Sequence, residues 1–177
     1  MCKLLAISNL THISIGCVPD SAEVEPAHAK VVAALSEVCR REVLVRLCIP
    51  WLQGFNDDMA YRLSKLTRLE TLDLRGSQGI TSVGCHWLSE SSSLKNLNLI
   101  DCSKVSRDSL HYLARSKSIE KFAFGGEKSD WAPGRDDVVE VVSALPALTH
   151  LAIGLCGAPF SLVGLSSSNK LVELILI

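Results

Sequence analysis

The amino-acid sequence predicts an α/β solenoid, a curved horseshoe with parallel strands on the concave face and helices on the convex face. Three observations lead to this prediction: a short apolar motif recurs at a nearly constant interval, a helical apolar pair precedes each following copy, and the interior is aliphatic. Of the 177 residues, 47% are hydrophobic but only 5% are aromatic. Such an interior favours many small, equivalent packing layers over one irregular core.

The recurring motif is apolar-x-x-apolar-x-apolar. The copy at residues 69–74 returns at residues 94–99 and again, after the same interval, at residues 119–124. Because strand side chains alternate between faces, the last two apolar positions point to the same side of a short strand. The motif therefore predicts strands that start near residues 10, 44, 69, 94, 119, 148 and 171.

A second apolar pair precedes each following motif by nine and six residues, as Leu110 and Leu113 do before residue 119. A spacing of i, i+3 is typical of one buried stripe on a helix. In the fifth unit the same count places Val139 and Val142 in the interior.

The spacing of the two layers predicts the curvature of the solenoid. Stacked strands need about 4.8 Å per unit and helices about 8 to 10 Å. The strands must therefore line the inside of the curve.

One copy extends the motif to L-x-x-L-x-L-x-x-C over residues 94–102, followed by a helix start at residues 105–108. On these residues the chain resembles the cysteine-containing, ribonuclease-inhibitor-like subfamily of leucine-rich repeats, over nearly its whole length. Cys102 and Cys156 occupy the cysteine position, which other copies fill with Ser77, Leu52 or Glu127. The resemblance implies a role in protein recognition, often in substrate receptors of ubiquitin ligases or in pathogen and host surface proteins.

Residues 1–177 are expected to form a single leucine-rich repeat domain of about seven repeats, part of a longer array. Solenoids usually close their ends with polar caps, whereas residues 171–177 are an apolar edge strand. This open C-terminal edge predicts self-association. No run approaches the ~18 to 20 apolar residues of a membrane span, and the N-terminus lacks a secretory pattern. We therefore expect a cytoplasmic, or alternatively nuclear, protein.

Charge and motif content argue against nucleic-acid binding and catalysis. Eighteen basic residues stand against 19 acidic ones, so no basic field exists for a phosphate backbone. The patterns G-x-S-x-G, G-x-x-x-x-G-K-[ST], H-E-x-x-H and G-x-G-x-x-G do not occur. His86 and His111 share a position in adjacent helices, but no third metal ligand matches them. The expectation is a non-enzymatic protein without cofactor or metal.

The outward positions of the strands form the predicted partner-binding surface. These side chains are polar and carry both positive and negative charges. They favour a partner that is bound and aligned by hydrogen bonds and charges rather than held in an apolar pocket. Trp131 lies in an enlarged strand-to-helix loop, where an aromatic side chain is a candidate contact anchor. The candidate contact residues are Arg46, Asp73, Arg75, Asn96, Asn98, Lys121, Trp131 and His150.

These observations predict a protein–protein interaction scaffold that binds through the concave strand face and the strand-to-helix loops. Two alternatives remain open. One is the substrate-recognition part of a ubiquitin-ligase receptor. The other is a structural or vestigial fragment of a larger repeat protein. The sequence leaves the identity of the protein partner open.

Overall fold

The computed structural model describes residues 10–16, 25–40, 42–127, 135–154 and 170–177. Seven parallel strands form one sheet in chain order, and each of the five described helices lies between two consecutive strands. This architecture confirms the predicted α/β solenoid. The strands are β1 (His12–Ser14), β2 (Arg46–Cys48), β3 (Thr71–Asp73), β4 (Asn96–Asn98), β5 (Lys121–Gly125), β6 (His150–Gly154) and β7 (Glu173–Leu176). The helices are α1 (Glu25–Cys39), α2 (Asp57–Ser64), α3 (Ser82–Ser89), α4 (Arg107–Leu113) and α5 (Arg135–Ala144).

The second apolar residue of each motif faces the interior, and these residues align across the sheet. Leu72 pairs with Leu97, and Leu97 pairs with Phe122. Leu97 is 2% exposed and Leu99 is fully buried, as the motif predicts. Each inward side chain therefore packs against its counterparts in the units before and after it, which is how a solenoid builds a continuous core.

One hydrogen-bond pattern fixes the strand register at every junction. The carbonyl just before a strand accepts two amide N–H groups from the next unit, as Glu70 accepts from Lys95 and Asn96 at 2.9 Å each. The same pattern occurs at all six junctions; the accepting carbonyls are those of Thr11, Val45, Glu70, Lys95, Glu120 and Thr149. Because the pattern is constant, the outward side chains also align in straight rows.

A turn with left-handed backbone follows four of the strands at the same point of the repeat. Trp51, Gly76, Asp101 and Gly126 have φ values of 62°, 72°, 57° and 117°. The amide of each donates a hydrogen bond to a carbonyl of the next unit. A Cβ atom on Gly76 would overlap the Trp51 indole, so this indole lies directly against the glycine. The turn therefore repeats although its residue type does not.

Helices α2 and α3 are joined by one carboxylate. The side chain of Asp57 accepts hydrogen bonds from the Thr81 amide (2.9 Å), the Thr81 hydroxyl (2.7 Å) and the Gly84 amide (3.0 Å). A Cβ atom at position 84 would overlap this carboxylate, so the close approach requires glycine. Asp57 therefore satisfies unpaired amides at the start of the next helix, besides starting its own.

The prediction for the fifth unit is wrong at one position. Val139 is half-buried, whereas Val138, Val141, Val142 and Leu145 are buried. These four residues follow the i, i+3, i+4, i+7 spacing of a complete helical stripe. In α4 the corresponding residues Ser109 and Leu110 are both buried, whereas in α5 Val138 is buried and Val139 is only half-buried. Helix α5 therefore turns a slightly different face towards the core, which a fixed count back from the next motif does not predict.

The described cysteines are free thiols, and the buried ones, Cys39, Cys85 and Cys102, pack as small apolar groups. Burial raises the pKa of Cys102 to about 12, and its Sγ donates to the Leu74 carbonyl at 3.2 Å. Burial likewise raises the pKa of Cys39 to about 11. None of the described helices has the length and apolar character that crossing a membrane requires.

Candidate protein-binding surface

The outward side chains of the sheet form two rows. The first row contains the residues that open the strands, and it runs through His12, Arg46, Thr71, Asn96, Lys121, His150 and Glu173. The second row lies two residues further along each strand and contains Ser14, Cys48, Asp73, Asn98, Ala123, Ala152 and Ile175. A concavity of about 270 Å³ is lined by both rows from Cys48 to Ile175.

Two positively charged side chains of the first row have no ion-pair partner among the described residues. Arg46 and Lys121 are exposed, and neither forms an ion pair within the described part of the chain. By contrast, the Asn96 amide donates to the Thr71 hydroxyl at 3.0 Å. The two cations are therefore available to an incoming group, whereas the Asn96 amide already has a partner.

His150 is held between two neighbours at the C-terminal end of the first row. Its Nδ1 lies 2.7 Å from the Thr149 hydroxyl, and its Nε2 lies 3.7 Å from a Glu173 carboxylate oxygen. The Thr149 contact fixes the ring orientation, so the far nitrogen points along the row towards β7. His150 therefore combines a fixed direction with partial exposure.

In the second row, Asp73 and Asn98 have structural roles in addition to their surface position. The Asp73 carboxylate accepts the Arg75 amide at 3.0 Å, and the Asn98 side-chain oxygen accepts the Ile100 amide at 3.1 Å. Each closes a local turn at the end of its strand. The pKa of Cys48, beside them, is raised by burial and by the negative charge of Asp73. Because Asp73 and Asn98 each use one side-chain oxygen within a turn, only their remaining polar atoms are available to a partner.

The structure places six of the predicted contact residues on one continuous surface: Arg46, Asp73, Asn96, Asn98, Lys121 and His150. Arg75 is exposed just beyond the end of β3. Trp131 lies outside the described residues. Whether these residues contact a partner stays a prediction.

Three apolar outward positions are missing from the site that the sequence predicts: Ala123, Ala152 and Ile175. They line the concavity as the C-terminal part of the second row, and Ile175 is 44% exposed. The surface is therefore apolar at this end rather than polar throughout. Their place in the motif, two residues after the first-row position, is the signal that identifies them.

On the helix side, aromatic rings from three helices follow one another. Tyr61 and Trp87 have ring centroids 4.9 Å apart, and His86 lies 5.2 Å from Tyr112. The Lys65 ammonium is 5.0 Å from the Tyr61 ring centroid. Among the described residues no group of three or more metal-ligating side chains comes together. These rings are thus repeat-equivalent positions that pack between neighbouring helices.

The comparisons with known proteins bear on the fold. No family model matches the chain, and no curated protein does. A solved structure titled "Leiomodin-1 Actin-Binding Site 2 (ABS2)" is similar, with a TM-score of 0.57 and 12% identity over 84% of this chain and 86% of that chain. At this identity the likeness concerns the fold alone. Together with the parallel sheet and its alternating helices, it confirms the leucine-rich repeat solenoid.

Proposed function

We propose that the chain is a non-catalytic scaffold that binds a protein partner through the concave strand face and the adjoining strand-to-helix loops. The observation that carries this proposal is the concavity lined by both outward rows. A surface of this kind offers a partner aligned side chains on a rigid sheet, so little conformational freedom is lost on binding.

The chemistry of the rows supports a partner with both acidic and apolar groups. Arg46 and Lys121 provide cations that no described carboxylate pairs with. Beside Lys121, the second row offers an apolar region formed by Ala123, Ala152 and Ile175. Interfaces typically combine an apolar centre with charged groups at its border, where the charges set orientation and association rate.

The name of the similar structure suggests a first partner to test. That protein is described as an actin-binding site of leiomodin-1. Because 12% identity conveys no binding residues, actin is a candidate for this chain only through the shared fold. We therefore propose a protein partner as the general conclusion, with actin as the first defined probe.

The test uses charge reversal on the concave face, with a matched control. Lys121→Glu reverses a first-row charge, whereas Lys117→Glu reverses another exposed charge, in the loop after α4. Binding to purified actin is measured by fluorescence anisotropy, and partners from cell extracts are identified by quantitative mass spectrometry. We expect Lys121→Glu to weaken binding at least about tenfold, equivalent to about 1.4 kcal/mol, and Lys117→Glu to leave it unchanged.

A partner set that is identical for both variants would contradict the concave face as the binding site. Specific retention of ubiquitin-ligase adaptor subunits would instead favour the substrate-receptor alternative. A chain that retains no protein above background would favour the structural-fragment alternative. The three outcomes are distinguished by the identity of the bound proteins and by the effect of Lys121→Glu.

We also infer that the repeats belong to the cysteine-containing subfamily and that the protein acts in the cytoplasm or nucleus. The contact from the Cys102 thiol to the Leu74 carbonyl supports the subfamily, because it links neighbouring units at the position that the subfamily reserves for cysteine. Cys102→Ser, which retains a donor, should disturb stability less than Cys102→Ala when the two are compared by urea unfolding.

A further inference from the structure

Helix α3 has an apolar outer surface where its neighbour α2 has charges. Val83 and Trp87 are the second and sixth residues of α3, so they lie on the same face of the helix. The second and sixth residues of α2 are Asp58 and Arg62, which form an exposed ion pair of 2.9 Å. Val83 is 52% exposed. An apolar side chain therefore occupies a position that suits a solvated charge.

Aromatic rings extend this surface towards both neighbouring helices. The Tyr61 ring of α2 lies 4.9 Å from the Trp87 ring, and the Tyr112 ring of α4 lies 5.2 Å from His86. Outside the region of β7, Tyr61 and Val83 are the only exposed large apolar side chains in the described part of the chain. Both lie here, so Tyr61, Val83, Trp87 and Tyr112 form one patch, the α3 patch.

The two aromatic residues nearest the centre of the α3 patch keep their polar groups available. Trp87 and Tyr112 are half-buried, and neither side chain forms a hydrogen bond with another described residue. Tryptophan and tyrosine that combine an apolar ring with an unpaired polar group are typical of protein interfaces. The patch therefore has the composition of a contact surface.

The two ends of the α3 patch carry opposite charges. Asp108, at the start of α4, is exposed and forms no ion pair with a described residue. Arg115, just after the end of α4, is also exposed and unpaired among these residues, and it lines a cavity of about 420 Å³ together with His86. Glu90 lies at the same end, but its carboxylate is 3.9 Å from a lysine ammonium, which balances its charge. One end is thus acidic and the other basic.

This charge distribution suits a helix that lies antiparallel to α3 and α4. Helices favour acidic residues in their first turn and basic residues in their last turn, because of the helix dipole. In the antiparallel direction the acidic first turn of the incoming helix meets Arg115, and its basic last turn meets Asp108. Backbone groups inside α3 and α4 are already paired, so an extended strand would find no edge here, whereas an amphipathic helix needs only side-chain contacts.

We propose that the α3 patch binds an amphipathic helix of a second protein, with acidic residues in its first turn, an apolar stripe and basic residues in its last turn. The apolar stripe covers Val83 and Trp87, and the helix lies antiparallel to α3 and α4. The α3 patch is on the helix side of the solenoid, so its occupant and the concave-face partner bind independently.

Two designed peptides of about 14 residues, about 21 Å long as helices, provide the probe. Both have leucine at i, i+3, i+4 and i+7 and are held helical by a covalent bridge on the polar face. One has glutamates first and lysines last, and the other has the reverse order with the same composition. Binding to the full chain is followed by ¹H–¹⁵N NMR. We expect the acidic-first peptide to shift the signals of the Val83 amide and the Trp87 indole, with a Kd at least about tenfold lower than that of the reversed peptide.

Val83→Asp removes the apolar centre without introducing a residue foreign to the repeat, because Asp58 and Asp108 hold the same position in α2 and α4. It should weaken binding of the acidic-first peptide at least about tenfold. Arg115→Glu should reverse the preference between the two peptides. Ala29→Asp makes the same kind of change at an exposed position of α1 and should leave both affinities unaltered. Circular dichroism confirms that each variant folds.

The outcomes separate this site from the concave face. Lys121→Glu should leave peptide binding unchanged, since Lys121 lies on the sheet. The absence of shifts at the α3 patch up to about 1 mM peptide, equal affinities for the two peptides, or binding that Val83→Asp does not alter would each overturn the proposal. Concentration-dependent association of the chain with itself that Val83→Asp abolishes would overturn the assignment to a second protein, in favour of a second copy.

Discussion

The concave face differs between its two halves although the sheet beneath it is continuous. Over β3 and β4 the second row contains Asp73 and Asn98, whereas over β5 to β7 it contains Ala123, Ala152 and Ile175. The first row is polar in both halves. One motif thus supports two surfaces, because the alternation of strand side chains leaves the outward positions free to vary.

The second-row residue also affects where the strand ends. Asp73 and Asn98 each accept the amide two residues further on, and their strands have three residues. Where alanine takes this position, in β5 and β6, the strands extend to five residues and end at Gly125 and Gly154. A side chain that captures a backbone amide competes with the strand ladder. The polar half therefore has short strands and closed turns, and the apolar half has a longer sheet surface.

The helix layer shows a parallel difference. Between α2 and α3, Asp57 forms three hydrogen bonds with the start of the next helix. Two units later, Arg107 holds the position of Asp57 at the start of α4 and forms an ion pair of 2.9 Å with Asp137. The Arg107 side chain is 66% exposed. The N-terminal units are thus joined by backbone capping, and the C-terminal units by an ion pair between an exposed guanidinium and an Asp137 carboxylate that is 12% exposed.

The largest expected effect tests whether the two halves share one core. Leu97 and Leu151 hold equivalent inward positions in β4 and β6 and are 2% and 1% exposed. Leu97→Ala and Leu151→Ala should each lower the free energy of unfolding by about 2 to 5 kcal/mol, through lost burial and a cavity. Urea unfolding followed by circular dichroism provides the values.

Ile175→Ala is the matched control, because the same kind of truncation is made on the exposed face. It should cost less than about 1 kcal/mol. Comparable losses at Ile175 and Leu151 would contradict the assignment of inward and outward positions. A loss at Leu151 far below that at Leu97 would show that the C-terminal half contributes little to the cooperative core.

The fold was predictable because its determinants are periodic. The motif names the inward residues directly, and packing between equal units requires the same residue type each time, as at Leu72 and Leu97. The prediction was wrong at Val139, because α5 buries Val138 and Val141 and so turns a slightly different face towards the core from α4, which buries Ser109 and Leu110. Periodicity therefore predicts an array well and its irregular units less well.

The surface was only partly predictable, for a physical reason. Polar outward residues were assigned to partner contact, but Asp73 and Asn98 use one side-chain oxygen to close their own turns. Apolar outward residues such as Ala152 were left out, because composition alone does not distinguish a surface alanine from a buried one. The Asp57 contacts to the following helix were also missed, since they join residues 24 and 27 positions apart.

The next expected effect sharpens the difference in the helix layer. Asp57→Ala removes the acceptor for three hydrogen bonds and should cost about 2 to 3 kcal/mol, because amides at the start of α3 lose their partner. Arg107→Ala should cost about 1 kcal/mol, because the guanidinium end of the pair is 66% exposed and only the Asp137 end is shielded from water. Unfolding in urea gives both values under identical conditions. Equal losses of unfolding free energy for the two variants would contradict the proposed difference between the helix contacts of the two halves. A larger loss for Arg107→Ala would show that the C-terminal contact is the stronger one.

The smallest expected effect concerns the strand ends. Asn98→Ala removes the acceptor of the Ile100 amide and should cost about 1 kcal/mol in urea unfolding. Asn98→Asp is the matched control, because Asp73 already performs this role one strand earlier; it should remain within about 0.5 kcal/mol of the unmodified chain. Hydrogen exchange at the Ile100 amide should accelerate in Asn98→Ala alone. If both substitutions cost the same, the turn does not depend on the side-chain oxygen, and the strand lengths of the two halves must be set by the glycines that end β5 and β6.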